Sequence, residues 1–507
     1  MSLRKASQPR PSLLEPSSRT AKILLAVLLL LGFALRMLDL TDPPLDFHTT
    51  RQLHGAIVAR SIYFEMHPDP DPAVQERMVS MRNVVGELEP PILETIVAFG
   101  YSLVGGPQLW VARIVNSLAW ILAGIPLYGL ARRLGGRLPA LLAVAYFSFL
   151  PFAAQASRSF QPDPLMVALL VLAAYAAYRW SQQQEWKWVL IAGASAGLAV
   201  LVKIVAVFIV MGFMLALVLS TLGFKTALRN RQVWVMALLS ALPAAGYYLL
   251  NIGDTSGSYL QDWILALLPQ AFAPSFYIFW VKMLEGLFSS GALLAAGIGT
   301  LLAPRHPRGM LVGIWIGYVA YGILLPHQTT THSYYHLQLV PVIALGMVAA
   351  LGTLHEKLQQ QARLWQALAL AVVLGVLVHS AWIFRSTLFA ADYREAPAYW
   401  ERVGAAIPND GNTIGLVDGY GYLLNYYGGW NLRLWPITAE FDLAEMRGSD
   451  WGSFEDYFED RTADVQYFLI TEFGEFERQA ELKAYLEANA RVYVRTQDFI
   501  IYDLGAK

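Results

Sequence analysis

The 507-residue chain contains no cysteine. Disulfides and cysteine-ligated metals are therefore excluded, and the redox character of its compartment is left open. Charge is scarce too. Asp, Glu, Lys and Arg make up 15% of the residues against 56% hydrophobic ones, whereas soluble domains carry about 25% charged residues. A net charge of −1 provides no bulk field for nucleic acid or for an acidic partner. Two stretches, residues 251–273 and 326–334, have neither Lys nor Arg. No Gly-rich phosphate loop and no repeat of solenoid type is present.

What the chain has instead is repeated apolar runs of roughly 17–22 residues, the length that crosses a ~30 Å hydrocarbon core. They predict a polytopic membrane protein with about eleven spans. The expected starts are near residues 21, 109, 138, 164, 188, 204, 233, 277, 310, 335 and 364. The pair around Lys203 reads either as two short spans or as one broken one. The first run is followed by Arg36, Met37 and Asp39, not by small residues that a signal peptidase would cut, so it reads as an uncleaved span. Aromatic residues are frequent, and for most of the 15 Trp and 25 Tyr an interfacial belt is the expected place.

Lys and Arg set the expected orientation. Arg4, Lys5, Arg10 and Arg19 precede the first span, and basic clusters recur at residues 132–137, 225–231, 305–308 and 355–363. These fall on one side if the spans alternate, which puts the N-terminus in the cytoplasm and the C-terminus outside. Residues 1–20 then form a cytoplasmic tail. Residues 21–389 form the transmembrane domain, with a first outer loop at 39–108. Within that loop, residues 50–64 carry apolar side chains at helical spacing (Leu53, Ile57, Val58, Ile62) and are expected to lie along the membrane interface. Glu89-Pro90-Pro91 opens a helix over 92–104 that is too short to span and is read as interfacial or re-entrant. Residues 390–507 shift to mixed charge. Strand-like runs at 413–417, 465–470 and 492–502 and a helical 479–490 predict a small α/β domain on the outer face.

Several polar residues stand out against this background. Asp46 lies just beyond the first span, with His48 and Arg51 beside it. Capping of a helix that starts near Phe47 is one reading, and a carboxylate base at the membrane surface is the other. Glu89 is either a first-turn acid at a helix N-terminus or a second carboxylate acting with Asp46. Arg158 and Asp163 bracket Ser159-Phe160-Gln161-Pro162 as an ion-paired hairpin loop or as a phosphate-facing Arg held by Asp163. Lys203 sits inside an apolar run, where an ionisable residue is a functional candidate by default. It either snorkels or, if the helix breaks there, meets a lipid phosphate. His327, His332, Tyr335 and His336 crowd the last polar outer loop. The i, i+4 spacing of His332 and His336 on a helix would permit a metal, but the companion Glu of a metalloprotease helix is missing, and hydrogen bonding to a sugar or phosphate is the preferred reading.

In their order along the chain these motifs resemble the GT-C glycosyltransferases, in particular the protein O-mannosyltransferase and aminoarabinose-transferase branch. The matching stretches are Asp46 to Gln52, Glu89-Pro90-Pro91-Ile92-Leu93, Arg158 with Pro162-Asp163, Gly197 to Lys203, and Tyr334-Tyr335-His336-Leu337 with Pro341. The chain departs from the family where Phe47, rather than a second acid, follows Asp46, and where Glu89 precedes the proline pair.

The resemblance implies a GT-C-like, all-α polytopic domain with a small C-terminal α/β domain. It implies a polyprenyl-phosphate-linked sugar donor and a lipid, glycan or protein acceptor at the outer face of the cell membrane. The reaction would be an inverting hexosyl or pentosyl transfer with Asp46 as general base. Arg158, Lys203 and His332 or His336 would stabilise the departing phosphate. No cofactor is demanded, and a divalent cation stays open. A lipid-sugar flippase, an oligosaccharide polymerase or ligase, and a catalytically dead scaffold are the competing expectations.

Overall fold

A computed structural model describes residues 12–250, 260–409 and 411–505. The basic residues Arg4, Lys5 and Arg10 and part of the Lys- and Arg-free stretch at 251–273 lie outside these residues. Each expected span coincides with an apolar helix. Among the described residues seven helices are long and apolar enough to cross a membrane, or eight if the bent pair Gln261–Phe272 and Pro274–Phe288 counts as one. Arg137–Phe149, Trp186–Val202 and Ala206–Leu222 are shorter apolar helices at expected positions, and Ser290–Leu302 is an apolar helix that hydropathy did not separate from its neighbours. The protein is a multi-pass membrane protein.

The chain packs as two units. One comprises the described residues of 1–40, 112–254 and 270–390, and is all-α. Its helices come together through small residues, as is usual where lipid supplies no hydrophobic drive between helices. A Cβ on Gly212 would stand 2.2 Å from the Gly313 carbonyl oxygen, and one on Gly313 would stand 2.2 Å from that of Gly212. Only glycine lets Ala206–Leu222 and Arg305–Leu324 approach this closely. Arg363–Leu388 leaves Leu364, Leu368, Val372 and Val376 exposed, as a lipid-facing helix does.

The second unit comprises the described residues of 41–111, 255–269 and 391–507. The first outer loop, grouped by sequence with the spans, thus packs with the C-terminal residues. Strands β1 (Thr413–Leu416), β2 (Arg433–Leu434), β3 (Tyr467–Ile470), β4 (Arg491–Arg495) and β5 (Ile500–Asp503) form one sheet in the order β2-β1-β3-β5-β4. β1 runs parallel to β2 and β3, while β5 is antiparallel to β3 and β4. β3 is apolar throughout because both its faces are covered. Phe468 and Ile470 join Trp435 and Phe458 on one side; Tyr467 and Leu469 join Trp400 and Val403 on the other.

Leu53 belongs to that second core, and it corrects the interfacial reading of residues 50–64. The helix Thr49–Met66 is buried on every side from Gln52 to Ile62. Several of its buried polar residues bond to protein carbonyls. The His54 Nε2–H donates to the Gly86 carbonyl at 3.0 Å, Ser61 Oγ donates to that of Val79 at 2.9 Å, and Arg60 donates to that of Tyr426 at 2.7 Å. The apolar stripe was real, but its partner is a protein core.

Candidate active site

In the helical unit the chain breaks where the sequence left two alternatives open. Trp186–Val202 ends at Lys203, whose backbone is extended (φ −155°, ψ 118°), and Ala206–Leu222 follows. Each helix is 17 residues, roughly 25 Å of rise. The extended residue turns the Lys203 side chain to Asp163, the first residue of the helix Asp163–Gln183. Nζ lies 3.0 and 2.8 Å from the two carboxylate oxygens, and both side chains are at most 3% exposed. The ammonium also faces the rings of Tyr334 and Tyr335, at 4.8 and 4.4 Å from their centroids, within cation–π range. The carboxylate gains in addition from sitting at a helix N-terminus.

Besides the expected neighbour Arg158, Asp163 has Lys203 as a partner that the sequence did not indicate. Arg158 is buried in the turn between helices and donates to the carbonyl oxygens of Leu38 at 2.7 Å and Asp39 at 3.0 Å. Three residues that sequence reasoning passed over hold this turn. Arg36 donates to Ser157 Oγ and to the carbonyls of Gly32 and Ser148. Arg113 donates to the carbonyls of Asp39 and Leu40. Asn116 donates to those of Ser159 and Gln161. The available signal was a charge or amide at a span end, which is ordinary enough to be overlooked.

The histidine loop also differs from expectation. His332 is extended (φ −125°, ψ 105°), between the helix Pro326–Thr331 and the 3₁₀ turn Ser333–His336. The helical i, i+4 geometry that would have permitted a metal is therefore broken. His336 is fully buried and both its nitrogens are engaged: Nδ1 lies 2.6 Å from Tyr318 Oη and Nε2 lies 2.8 Å from the Thr329 carbonyl oxygen. A carbonyl only accepts, so Nε2 carries the proton and Nδ1 accepts from Tyr318. Tyr318 in turn accepts from Trp280 Nε1–H at 3.2 Å. His336 is thus a member of a satisfied internal chain, not a residue offered to a sugar or phosphate. His332 Nδ1 pairs with Thr331 Oγ1 at 2.7 Å. Among the described residues no group of three or more His, Asp or Glu side chains is placed to hold a metal.

The second unit holds the remaining candidates. Thr49–Met66 begins at Thr49 with the left-handed His48 (φ 46°) at its cap position and no side-chain capping bond. Asp46 is half-buried two residues before that cap position. Gln52 and Thr49 help to hold the loop. Gln52 Nε2 donates to the carbonyls of Pro44 and Phe47, and Thr49 Oγ1 donates to that of Leu45. These bonds offset the cost of the left-handed His48 backbone, of order 1–3 kcal/mol. His48 presents its ring edge-on to Phe47, 4.7 Å away. Arg51 pairs with Glu89, with one terminal nitrogen 2.8 Å from each carboxylate oxygen. The acid before the proline pair is thereby tied to the helix that follows Asp46.

Residues 88–248 match the model of the dolichyl-phosphate-mannose-protein mannosyltransferase family, a stretch that includes Glu89, Arg158, Asp163 and Lys203. No curated protein matches the sequence. Solved structures do match the fold. ArnT from Cupriavidus metallidurans, bound to undecaprenyl phosphate, aligns over 97% of this chain and 99% of its own, at 14% identity and a TM-score of 0.59. The archaeal oligosaccharyltransferase AglB from Archaeoglobus fulgidus, in complex with an inhibitory peptide and a dolichol-phosphate, aligns over 96% of this chain and 74% of its own, at 13% identity and 0.56. The mycobacterial arabinofuranosyltransferase AftD aligns over 97% of this chain and 42% of its own, at 16% identity and 0.52. The fold is that of the GT-C membrane glycosyltransferases, in the form seen in ArnT.

Proposed function

We propose that the protein transfers a sugar from a polyprenyl-phosphate donor to an acceptor hydroxyl at the outer face of the membrane. The observation that carries this reading is Lys203, a cation buried beneath two tyrosine rings at the break between two apolar helices. Ionisable groups at membrane depth are costly and mark functional sites. The similarity to ArnT, solved with undecaprenyl phosphate, supports a lipid phosphate as the group that Lys203 serves.

In this reading Asp46 takes the proton of the acceptor hydroxyl. The acceptor oxygen attacks the anomeric carbon from the face opposite the phosphate, the carbon–oxygen bond to phosphate breaks, and configuration inverts. Lys203 and Arg158 balance the charge that develops on the leaving phosphate. Asp163 keeps Lys203 neutralised and oriented before the donor arrives. Glu89, held by Arg51, orients the acceptor. The lipid phosphate is itself the leaving group, so no nucleotide-binding loop is required.

The test is to reconstitute the purified protein in vesicles with radiolabelled polyprenyl-phosphate sugars and membrane-derived acceptors. Label appearing in a glycosylated product, with free polyprenyl phosphate formed in equal amount, is the expected result. Movement of intact donor across the bilayer without product would favour a flippase instead.

A further inference from the structure

The second unit contains a cavity of about 300 Å³ that the transfer reading does not use. It lies between the end of the helix Pro72–Val85, which contributes Val84 and Val85, and the segment after β1, which contributes Tyr420, Tyr422 and Asn425; Asn431 completes the polar lining. Among all its lining residues there is no Asp, Glu, Lys, Arg or His. None of the lining side chains offers a charge to a phosphate or an ammonium.

Asn425 is the informative member. It is 3% exposed, and its side-chain oxygen has no hydrogen-bond partner. An unmade hydrogen bond of a buried amide costs roughly 1–3 kcal/mol, and such a group calls for an explanation. It sits on the π-helical turn Leu424–Gly428, a rare conformation that is frequent at functional sites. Tyr420, nearly half exposed, adopts a left-handed backbone (φ 53°) between the left-handed Gly419 and Gly421. Phenols and amides around apolar walls pair donors and acceptors with a flat apolar surface. This is the recognition chemistry of a neutral ring bearing vicinal hydroxyls.

We propose that this cavity is a binding site for a neutral pyranose, separate from the Asp46 and Lys203 residues. A hydroxyl of the ring donates to Asn425 Oδ1, and Tyr420 covers one face. The assignment stands independently of the role of Asp46.

The test is saturation-transfer difference NMR on the full chain in detergent, with methyl α-glucoside, methyl α-mannoside and methyl α-galactoside as probes. At least one glycoside should show ring-proton saturation. Asn425→Leu should weaken its binding at least tenfold with the thermal midpoint unchanged or raised, because the buried unpaired amide is gone. Tyr420→Gly, which removes the ring and relaxes the backbone, should weaken it similarly, and it decides the matter if Asn425→Leu does not fold. Asp46→Asn should leave binding unchanged, which separates this site from the transfer chemistry. The proposal is overturned if no neutral glycoside binds, if both pocket variants bind as the parent does, or if glucose 6-phosphate binds more tightly than methyl α-glucoside.

Discussion

Lys203 donates to both oxygens of Asp163 from forty residues further along the chain, with both side chains removed from solvent. Breaking such a pair leaves one charge buried and unpaired, at a cost of about 3–5 kcal/mol, whereas replacing both partners with apolar residues is often nearly neutral. Asp163→Leu and Lys203→Leu should each lower resistance to unfolding in detergent markedly. The double variant should recover most of it and still fail to transfer sugar. Transfer restored in the double variant would reduce the pair to a packing device.

The Tyr318–His336–Thr329 chain makes a separate prediction. His336→Ala removes the donor to the Thr329 carbonyl and the acceptor for Tyr318, a loss of about 1–3 kcal/mol for each group left unpaired. His336→Gln keeps an amide donor and an acceptor oxygen and should retain most of the stability. Equal loss in the two variants, measured by thermal unfolding, would contradict the hydrogen-bond assignment.

His54 gives a pH dependence. Burial first, and the nearby Arg51 guanidinium second, push its pKa down to about 4 from the ordinary 6.5. The unfolded chain therefore binds a proton that the folded one refuses. The stability it contributes is fully present above about pH 6.5 and is lost as pH falls from there toward 4, with a total of about 3 kcal/mol. His54→Gln, which keeps a donor to Gly86, should flatten the acid side of the stability profile between pH 6.5 and 4. An unchanged profile would show that His54 titrates alike in the folded and unfolded chain, against the burial argument.

Gly212 and Gly313 face each other with no room for a side chain. Gly212→Val should force apart Ala206–Leu222 and Arg305–Leu324, costing about 1–3 kcal/mol, and should reduce the yield of folded protein in detergent. Gly223→Ala makes a useful comparison. It lies just past the same helix with open space around it but a φ of +70°, so its cost is backbone strain alone.

Hydropathy placed the helices because a residue facing lipid must be apolar wherever the helix packs. Strand β3 was legible because both its faces are buried. The helix Thr49–Met66 was misplaced because an apolar stripe looks the same whether it meets lipid or a protein core. Lys203 was visible as a charge in an apolar run, but its partner was not, since pairing across forty residues depends on how the helices pack. His332 and His336 have helical spacing in the sequence, and the extended backbone at His332 removes it. Arg36, Arg113 and Asn116 bond chiefly to carbonyls, which every residue carries, so no sequence pattern marks them.

The most direct test of the account is the single-turnover transfer rate of Asp46→Asn, with donor binding measured on the same preparation. A positioned base contributes about 10²–10⁴-fold. The account predicts a fall in rate of at least a hundredfold, with polyprenyl-phosphate-sugar affinity within about twofold of the parent. Transfer at a near-parental rate in Asp46→Asn would contradict it.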